Sequence, residues 1–446
     1  MFVLCPLFPL LHHSCERWTR EERCYTKDMR IYFSGIGGVG IGPLAEIAHD
    51  MGHDIIGSDL TEGLVTDELR RKDISFAIGQ DGSFLRAVHQ EQPIDWFVYT
   101  AALPADHPEL VLAQSLGIRV AKRDELLAYL IKEKGLKLIA VTGTHGKTTT
   151  TGMLVWTLQQ LEVPVSYSVG TTLSFSPSGH YDPASQYFIY ECDEYDRNFL
   201  HFFPDVAIIT SVDYDHPDSF PTEADYKAAF LQFVSQSTQT IAWQKDADYV
   251  GVLPTGTQWL LKESEVASLH LAGAHNRRNA SLVLKAIEFL QAGDSAAAVT
   301  AIEQFPGTDR RFEKLAENLY SDYGHHPQEI AATLQMAREL SDRVVLVYQP
   351  HQNRRQHELR DQYQDCLALA DATYWLPTYL SREDPSQTIL TPQELISGLS
   401  NKESVTAAEL DDALWSKIQA ARQSGALVLC MGAGTIDQWL RQRLAA

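Results

Sequence analysis

Leu138-Ile139-Ala140-Val141-Thr142 is a short apolar run that stops at Gly143-Thr144-His145-Gly146-Lys147-Thr148-Thr149-Thr150. Met153, Leu154, Trp156, Leu158 and Leu161 follow in an amphipathic stretch. The pattern predicts a strand, a phosphate loop and a helix. Glycines let backbone N–H groups turn toward a phosphate chain, and the helix N-terminus adds the positive end of its dipole. Lys147 would reach the β and γ phosphates and the Thr148 hydroxyl would hold Mg²⁺. The common phosphate loop separates its glycines by a longer stretch. Here only Thr144 and His145 stand between Gly143 and Gly146. The competing reading, a glycine turn beside a surface lysine, leaves the strand-turn-helix context unexplained.

Two further strands are expected to deliver polar groups to the same edge. Tyr187-Phe188-Ile189-Tyr190 runs into Glu191-Cys192-Asp193-Glu194-Tyr195-Asp196, and Val206-Ala207-Ile208-Ile209-Thr210 ends near Asp213-Tyr214-Asp215-His216. Ligands of open α/β sheets gather at the carboxyl ends of strands. A carboxylate placed directly after four apolar residues, as Glu191 is, suits a cation, and beside it His216 becomes a candidate ligand. The alternative for the acids is a solvated loop. His275-Asn276-Arg277-Arg278-Asn279 opens a helix, and Asn276 and Asn279 share a face. Amides there serve as caps or read a purine edge.

Another glycine turn, earlier in the chain, Gly35-Ile36-Gly37-Gly38-Val39-Gly40, follows the strand Met29–Ser34 and precedes a helix through Ala45, Ile47 and Ala48. Ile55-Ile56-Gly57-Ser58-Asp59 is the next strand and ends in an acid about twenty residues on. This is the dinucleotide fingerprint. NAD is its first reading and a glycine turn that only packs is the competing one, while any ligand with a diphosphate and a ribose meets the same geometry. An NAD-dependent oxidoreductase would leave Lys147 without a task. A regulatory ATP-binding module would bind ATP without substrate-dependent turnover.

The 446 residues suffice for two or three domains with their own cores. The net charge of −21 disfavours nucleic acid as the main partner, and no run is long and apolar enough to span a bilayer. Cys5, Cys15, Cys24, Cys192, Cys366 and Cys430 show no metal-ligand pairing. Cys192 and Cys430 lie in apolar runs as expected buried thiols, so a cytoplasmic setting fits. Residues 1–28 read as an unstructured leader or a start placed too early. Trp96–Thr100 is another strand, ending in the turn Ala101–Pro104, and Ala292–Ala298 reads as a connection between helices. Val344–Tyr348 and Ala426–Cys430 are buried strands of a third α/β unit that begins near Phe305-Pro306-Gly307.

Taken in order, Gly35–Gly40, Gly143–Thr149, Glu191–Glu194, Asp215-His216, His275-Asn276-x-x-Asn279, Gly307-x-x-Arg310-Arg311-Phe312, Asp322-Tyr323-Gly324-His325-His326-Pro327 and Gln349-Pro350-His351 resemble the Mur ligases of peptidoglycan synthesis. The likeness runs from Met29 to the C-terminus. It implies an α/β protein of three domains: a Rossmann-like N-terminal domain (29–135) for the UDP-sugar, a central P-loop ATP-binding α/β domain (136–305), and a Rossmann-like C-terminal domain (306–446) on the amino-acid side. It implies an ATP-dependent ligase that joins L-alanine to the lactyl carboxylate of UDP-N-acetylmuramate through an acyl phosphate, in the cytoplasm, as a monomer or homodimer.

By that resemblance Gly35, Gly37, Gly38 and Gly40 cradle the UDP diphosphate, with Ser58 and Asp59 near the uridine. Gly143, Thr144, His145, Gly146, Lys147, Thr148 and Thr149 hold ATP phosphates. Thr148 and Glu191 share one Mg²⁺, and Glu191 and His216 a second. His275, Asn276 and Asn279 line the adenine side, and Arg311 and Asp322 reach ATP across the domain gap. His325, His351 and Arg355 lie near the reacting carboxylate or amino acid, whereas His326 packs. Alanine-adding members continue Gln-Pro-His with Arg-Tyr, where this chain has Gln352-Asn353. Ser211 replaces a usual Asn and Cys192 a usual Ala. Glu194-Tyr195-Asp196 and Asp215–Phe220 lean toward members that recycle a murein tripeptide, while Tyr323–Pro327 and Gln349–His351 lean back to alanine addition.

Overall fold

The computed structural model describes residues 28–38, 40–100, 103–216, 219–381 and 383–445. The leader (except Asp28), with Cys5, Cys15 and Cys24, lies outside the described residues, as do Val39, Ala101, Ala102, Pro217 and Asp218. Three sheets follow one another along the chain. The first contains β1 (Arg30–Ser34), β2 (Asp54–Asp59), β3 (Ser75–Ile78), β4 (Trp96–Tyr99) and β5 (Arg119–Lys122) in the order β3-β2-β1-β4-β5. All its pairings are parallel. The order reverses between β1 and β4, which opens a crevice at the strand ends where the first glycine turn lies.

The second sheet holds β6 (Lys137–Thr142), β7 (Ser166–Ser168), β8 (Gly179–His180), β9 (Tyr187–Glu191), β10 (Val206–Ile209), β11 (Gln239–Trp243) and β12 (Gln258–Leu261). Its order, β12-β11-β10-β6-β9-β7-β8, puts β6 between β9 and β10. Because those three run parallel, the loops after Thr142, Glu191 and Ile209 open at one edge. The third sheet is β13 (Glu313–Ala316), β14 (Leu319–Asp322), β15 (Val344–Tyr348), β16 (Ala372–Trp375), β17 (Val405–Ala407) and β18 (Leu427–Met431), ordered β13-β14-β18-β15-β16-β17.

Strands covered on both faces read as continuous apolar runs. In β6, Leu138 and Ala140 join one core while Ile139 and Val141 join another. In β15, Val344, Leu346 and Tyr348 face one side and Val345 and Val347 the other. One apolar cluster includes residues of both the first and second sheets, from Ile31 and Leu44 to Phe188 and Phe230. The third sheet has clusters of its own. Its helix Pro327–Leu340 meets the start of helix Ala274–Leu290 through polar contacts instead. Glu339 takes both Arg277 guanidinium nitrogens at 2.8 and 2.9 Å, and Gln335 accepts from the Ala274 N–H. An apolar interface fixes the first two units together, whereas a polar one tolerates relative motion.

One expected connection is instead the start of a helix. Ser295–Glu303 begins inside Ala292–Ala298 because Asp294 caps it, accepting from the N–H groups of Ala296 and Ala297, and alanines favour the helix.

Candidate active site

The second glycine turn is held from outside as much as from within. Thr210 Oγ1 donates to His145 O, the Thr144 N–H donates to Ser211 O at 2.9 Å, and the His145 N–H reaches Ser211 Oγ at 3.1 Å. Gly143 and Gly146 have φ of +130° and +85°. A Cβ at Gly143 would lie 2.4 Å from Thr210 Oγ1, so a side chain there meets both strain and a clash. Thr144, expected to face ATP phosphates, is spent on the loop itself: its hydroxyl donates to Asp213 O and contacts Tyr226. It shapes the turn rather than offering a spare donor.

Lys147 Nζ donates to Gly143 O and to Glu194 Oε2, both at 2.7 Å, and Asp193 stands 3.8 Å away. Burial works against its charge, but the neighbouring carboxylates outweigh it and keep the ammonium protonated. Glu194 is fully buried, and that burial raises its pKa to about 7 against the pull of Lys147. Thr148 Oγ1 donates to Glu191 Oε1 at 2.6 Å, and Glu191 Oε2 accepts from the Gly170 N–H at 2.7 Å. Thr148 and Glu191 are thus together as expected, with hard oxygen donors of the kind Mg²⁺ takes.

His216 lines the same cleft as Glu191. Its Nε2 lies 3.7 Å from both Glu194 and Asp215, and its ring stands edge-on to Tyr195. The acids and that ring, not Glu191, orient it. Among the described residues no cluster of three or more His, Cys, Asp or Glu could hold a metal ion.

These groups border a cleft of about 860 Å³ between the three units. Gly40 and Arg123 line it from the first unit, and Lys147, Thr148, Glu191 and His216 from the second. His325, His351 and Arg355 line it from the third. A smaller cavity of about 440 Å³ lies behind the loop and is lined by Thr149, His275, Asn276, Asn279, Arg311 and Asp322. Asn276 Nδ2 donates to Ala272 O, and the Asn279 amide sits against Gly146. Burial lowers the His275 pKa to about 4 and raises that of Asp322 to about 6, the latter against the charge of Arg311.

At the first glycine turn, Asp59 Oδ2 accepts the Gly37 N–H at 2.8 Å, and the Gly38 N–H donates to Gly35 O. Ser58, expected beside the uridine, is fully buried and donates to Glu109 Oε2 at 2.7 Å. Glu109 gathers Tyr32, Ser34 and Ser58 beneath the ends of β1 and β2. The side chain of Ser58 therefore belongs to the core, while its carbonyl accepts the Gly35 and Ile36 N–H groups.

The third unit brings His325 within 5.4 Å of His351, ring to ring, and His351 stacks on Tyr379. Burial lowers the His325 pKa to about 3, so the ring is neutral. His326 Nδ1 accepts the Gln328 N–H and caps helix Pro327–Leu340, with its ring 5.2 Å from His145. Glu329 was not among the expected site residues. It accepts the N–H groups of His325 and His326 and stands 3.4 Å from His145 Nδ1, so one carboxylate joins the nucleotide loop to the third unit. Three residues after His326 it completes a capping box, a local pattern that says nothing of His145.

Arg123 was also missed. Its Nε and Nη2 bind Asp124 and its Nη2 reaches the Tyr190 hydroxyl at 3.2 Å, while a Cβ at Gly40 would lie 2.7 Å from its Nη1. Nothing local in sequence marks it. The thiols of Cys192, Cys366 and Cys430 are buried and free, and among the described residues no helix is long and apolar enough to cross a membrane.

Three family models cover this layout: the Mur ligase family catalytic domain over residues 30–134, the Mur ligase middle domain over 141–253, and the Mur ligase glutamate ligase domain over 310–434. The chain is 32% identical over 454 aligned residues to the UDP-N-acetylmuramate--L-alanine ligase of Coxiella burnetii (strain Dugway 5J108-111), covering 91% of this chain and 95% of that one. With the enzyme of the same name from Streptomyces avermitilis the identity is 33%, over 92% and 95%. The crystal structure of the UDP-N-acetylmuramate-alanine ligase of Thermotoga maritima superposes with a TM-score of 0.71 at 25% identity, covering 94% of this chain and 98% of that one. A murein peptide ligase from Psychrobacter arcticus shares the fold at a TM-score of 0.63 and 23% identity, with the same coverage. A phosphate loop, the glycine turn ending at Gly40 and a histidine-bearing third unit that close on one cleft agree with these matches: the chain belongs to the Mur ligase family of ATP-dependent ligases.

Proposed function

We propose that the protein joins L-alanine to the lactyl carboxylate of UDP-N-acetylmuramate, releasing ADP and phosphate, in peptidoglycan precursor synthesis. The observation that carries this reading is the single cleft shared by the glycine turn at Gly40, the loop lysine Lys147, and the trio His325, His351 and Arg355. The sugar nucleotide lies along the first unit and ATP lies over Lys147, with its base toward Asn276 and Asn279. The lactyl carboxylate attacks the γ-phosphate, so a C–O–P linkage forms and ADP leaves. The neutral amine of L-alanine then attacks that carbonyl and phosphate departs, leaving an amide.

Like charges must approach one another in the first step, and catalysis there is mainly neutralisation and positioning. Lys147 is held cationic for this role, and nucleotide binding draws it from Glu194 to phosphate. Thr148 and Glu191 are the residues that would hold Mg²⁺, which when bound supplies further neutralisation of phosphate charge. At the other end, neutral His325 adds no positive charge against the incoming amine, and Arg355 suits its carboxylate. The nucleotide substrates and the buried free thiols favour the cytoplasm. The acidic chain suits small-molecule substrates without nucleic acid or membrane, as a monomer or homodimer.

Glu194-Tyr195-Asp196 and Asp215–Phe220 favour a second reading in which a preformed murein tripeptide replaces L-alanine, and Gln352-Asn353, in place of Arg-Tyr, leaves the amino-acid pocket unlike that of alanine-adding members. Phosphate release by the purified protein with ATP and UDP-N-acetylmuramate separates the two. Turnover with L-alanine is the expected result, and turnover with tripeptide alone would overturn it.

A further inference from the structure

Gln352 lines the cleft between His351 and the short helix Asn353–Glu358 that carries Arg355. Its backbone has φ +64° and ψ +121°, a combination that residues with a Cβ avoid. Such a conformation persists only where its surroundings over-determine it, and here they do. The Gln352 N–H donates to Tyr379 O at 2.9 Å, and its carbonyl accepts the Gln356 N–H at 3.2 Å.

Both neighbours are also fixed. Before it, Pro350 O accepts the Tyr379 N–H, His351 O accepts from Gln356 Nε2, and the His351 ring stacks on Tyr379 with 12° between planes. After it, Asn353 is almost completely buried. Its N–H donates to Glu383 at 2.9 Å, its Nδ2 donates to Thr388 O, and its Oδ1 accepts from the Leu390 N–H. The chain must therefore turn within one residue. That turn sets the angle between the strand end bearing His351 and the helix bearing Arg355.

We propose that Gln352 is a positioning residue for the amino-acid substrate: its strained backbone holds His351 and Arg355 at the mutual angle that the acceptor end of the cleft requires. This rests on the reading that His325, His351 and Arg355 form that end. The contacts that impose the strained turn lie beside the chemistry, where a looser chain would let the two side chains drift apart and small misplacements are costly.

Two substitutions separate backbone from side chain. Gln352→Gly relieves the strain, since glycine adopts positive φ freely. Gln352→Ala keeps the strain and removes only the amide. The expected result is that Gln352→Gly melts no lower than the natural protein, while its KM for L-alanine rises about tenfold and its KM values for ATP and UDP-N-acetylmuramate stay put. Gln352→Ala should melt lower than Gln352→Gly and lose less affinity for L-alanine. An unchanged L-alanine KM in Gln352→Gly, a lower melting temperature for that variant than for the natural protein, or an equal KM rise in both variants would each overturn the proposal. If the natural protein turns over only with tripeptide, the reading of the substrate fails instead. The same comparison then runs with tripeptide KM and still decides the role of Gln352.

Discussion

Both glycine turns stand between a parallel strand and a helix, yet they acquire positive charge in different ways. The turn at Gly143–Gly146 carries its own cation, Lys147, at the first position of its helix. The turn at Gly35–Gly40 has none in its local sequence. It borrows Arg123, the first residue of the helix Arg123–Glu133 that follows β5, and Asp124 and the Tyr190 hydroxyl hold that guanidinium against Gly40. Tyr190 precedes Glu191 in β9, so the borrowed cation also ties the first unit to the strand that bears the Thr148 partner. A self-contained loop needs only its own strand and helix to be correct. A borrowed cation also needs the interface between two units, which is why the continuous apolar core across the first and second sheets matters to the site.

The largest effect should come from the self-contained loop. Lys147→Ala should lower kcat about 10³-fold while UDP-N-acetylmuramate affinity, measured by calorimetry, stays within a few-fold. Loss of both would show that the two turns do not act separately. Next comes Arg123→Gln, for which KM for the sugar nucleotide should rise about 10- to 100-fold, matching ~1.5–3 kcal/mol for a charged hydrogen bond, with kcat little changed. A fall in kcat alone would reassign Arg123 to the phosphate-transfer end of the cleft. Gly40→Ala should act through Arg123, whose flexible end must move aside from the new Cβ. The KM should rise about fivefold, less than with Arg123→Gln, because the displaced guanidinium retains part of its contact.

The same contrast explains what could be read without coordinates. Lys147, Thr148 and Glu191 were legible because the chemistry sits within a few residues of a strand end, and parallel strands deliver their ends to one edge. The three sheets were legible from their apolar runs. Those runs could not tell which way Ser58 points, because strands buried on both faces show no alternation. The resemblance placed Ser58 near the uridine, and no alternation in the strand spoke against it, whereas Glu109 holds it from within. Arg123, Glu329 and the pairing of His216 with Glu194 depend on contacts between distant stretches. The strained turn at Gln352 depends on Tyr379 and Glu383 further along the chain. No local pattern encodes such contacts.

The smallest expected effect uses pH to distinguish the turns. Burial alone would lower the His145 pKa, but the Glu329 carboxylate, by hydrogen bond and charge, raises it above its ordinary value. Burial would likewise raise Glu329, and His145 and Arg311 hold it well below the usual range. A raised histidine pKa means the folded state keeps a proton that the unfolded chain releases. The stabilisation is full below about pH 6.5 and is lost as pH rises through the folded value. The depressed Glu329 acts at the other limb: its contribution is present above its ordinary pKa and fades as pH falls toward the folded one. The melting-temperature gap between the natural protein and His145→Gln should therefore be widest near pH 6 and shrink by pH 9. The gap for Arg123→Gln should stay constant over that range, since a guanidinium does not titrate there. If the His145→Gln gap also stayed constant, the carboxylate would be touching a neutral ring. The second turn would then be tied to the third unit by packing alone.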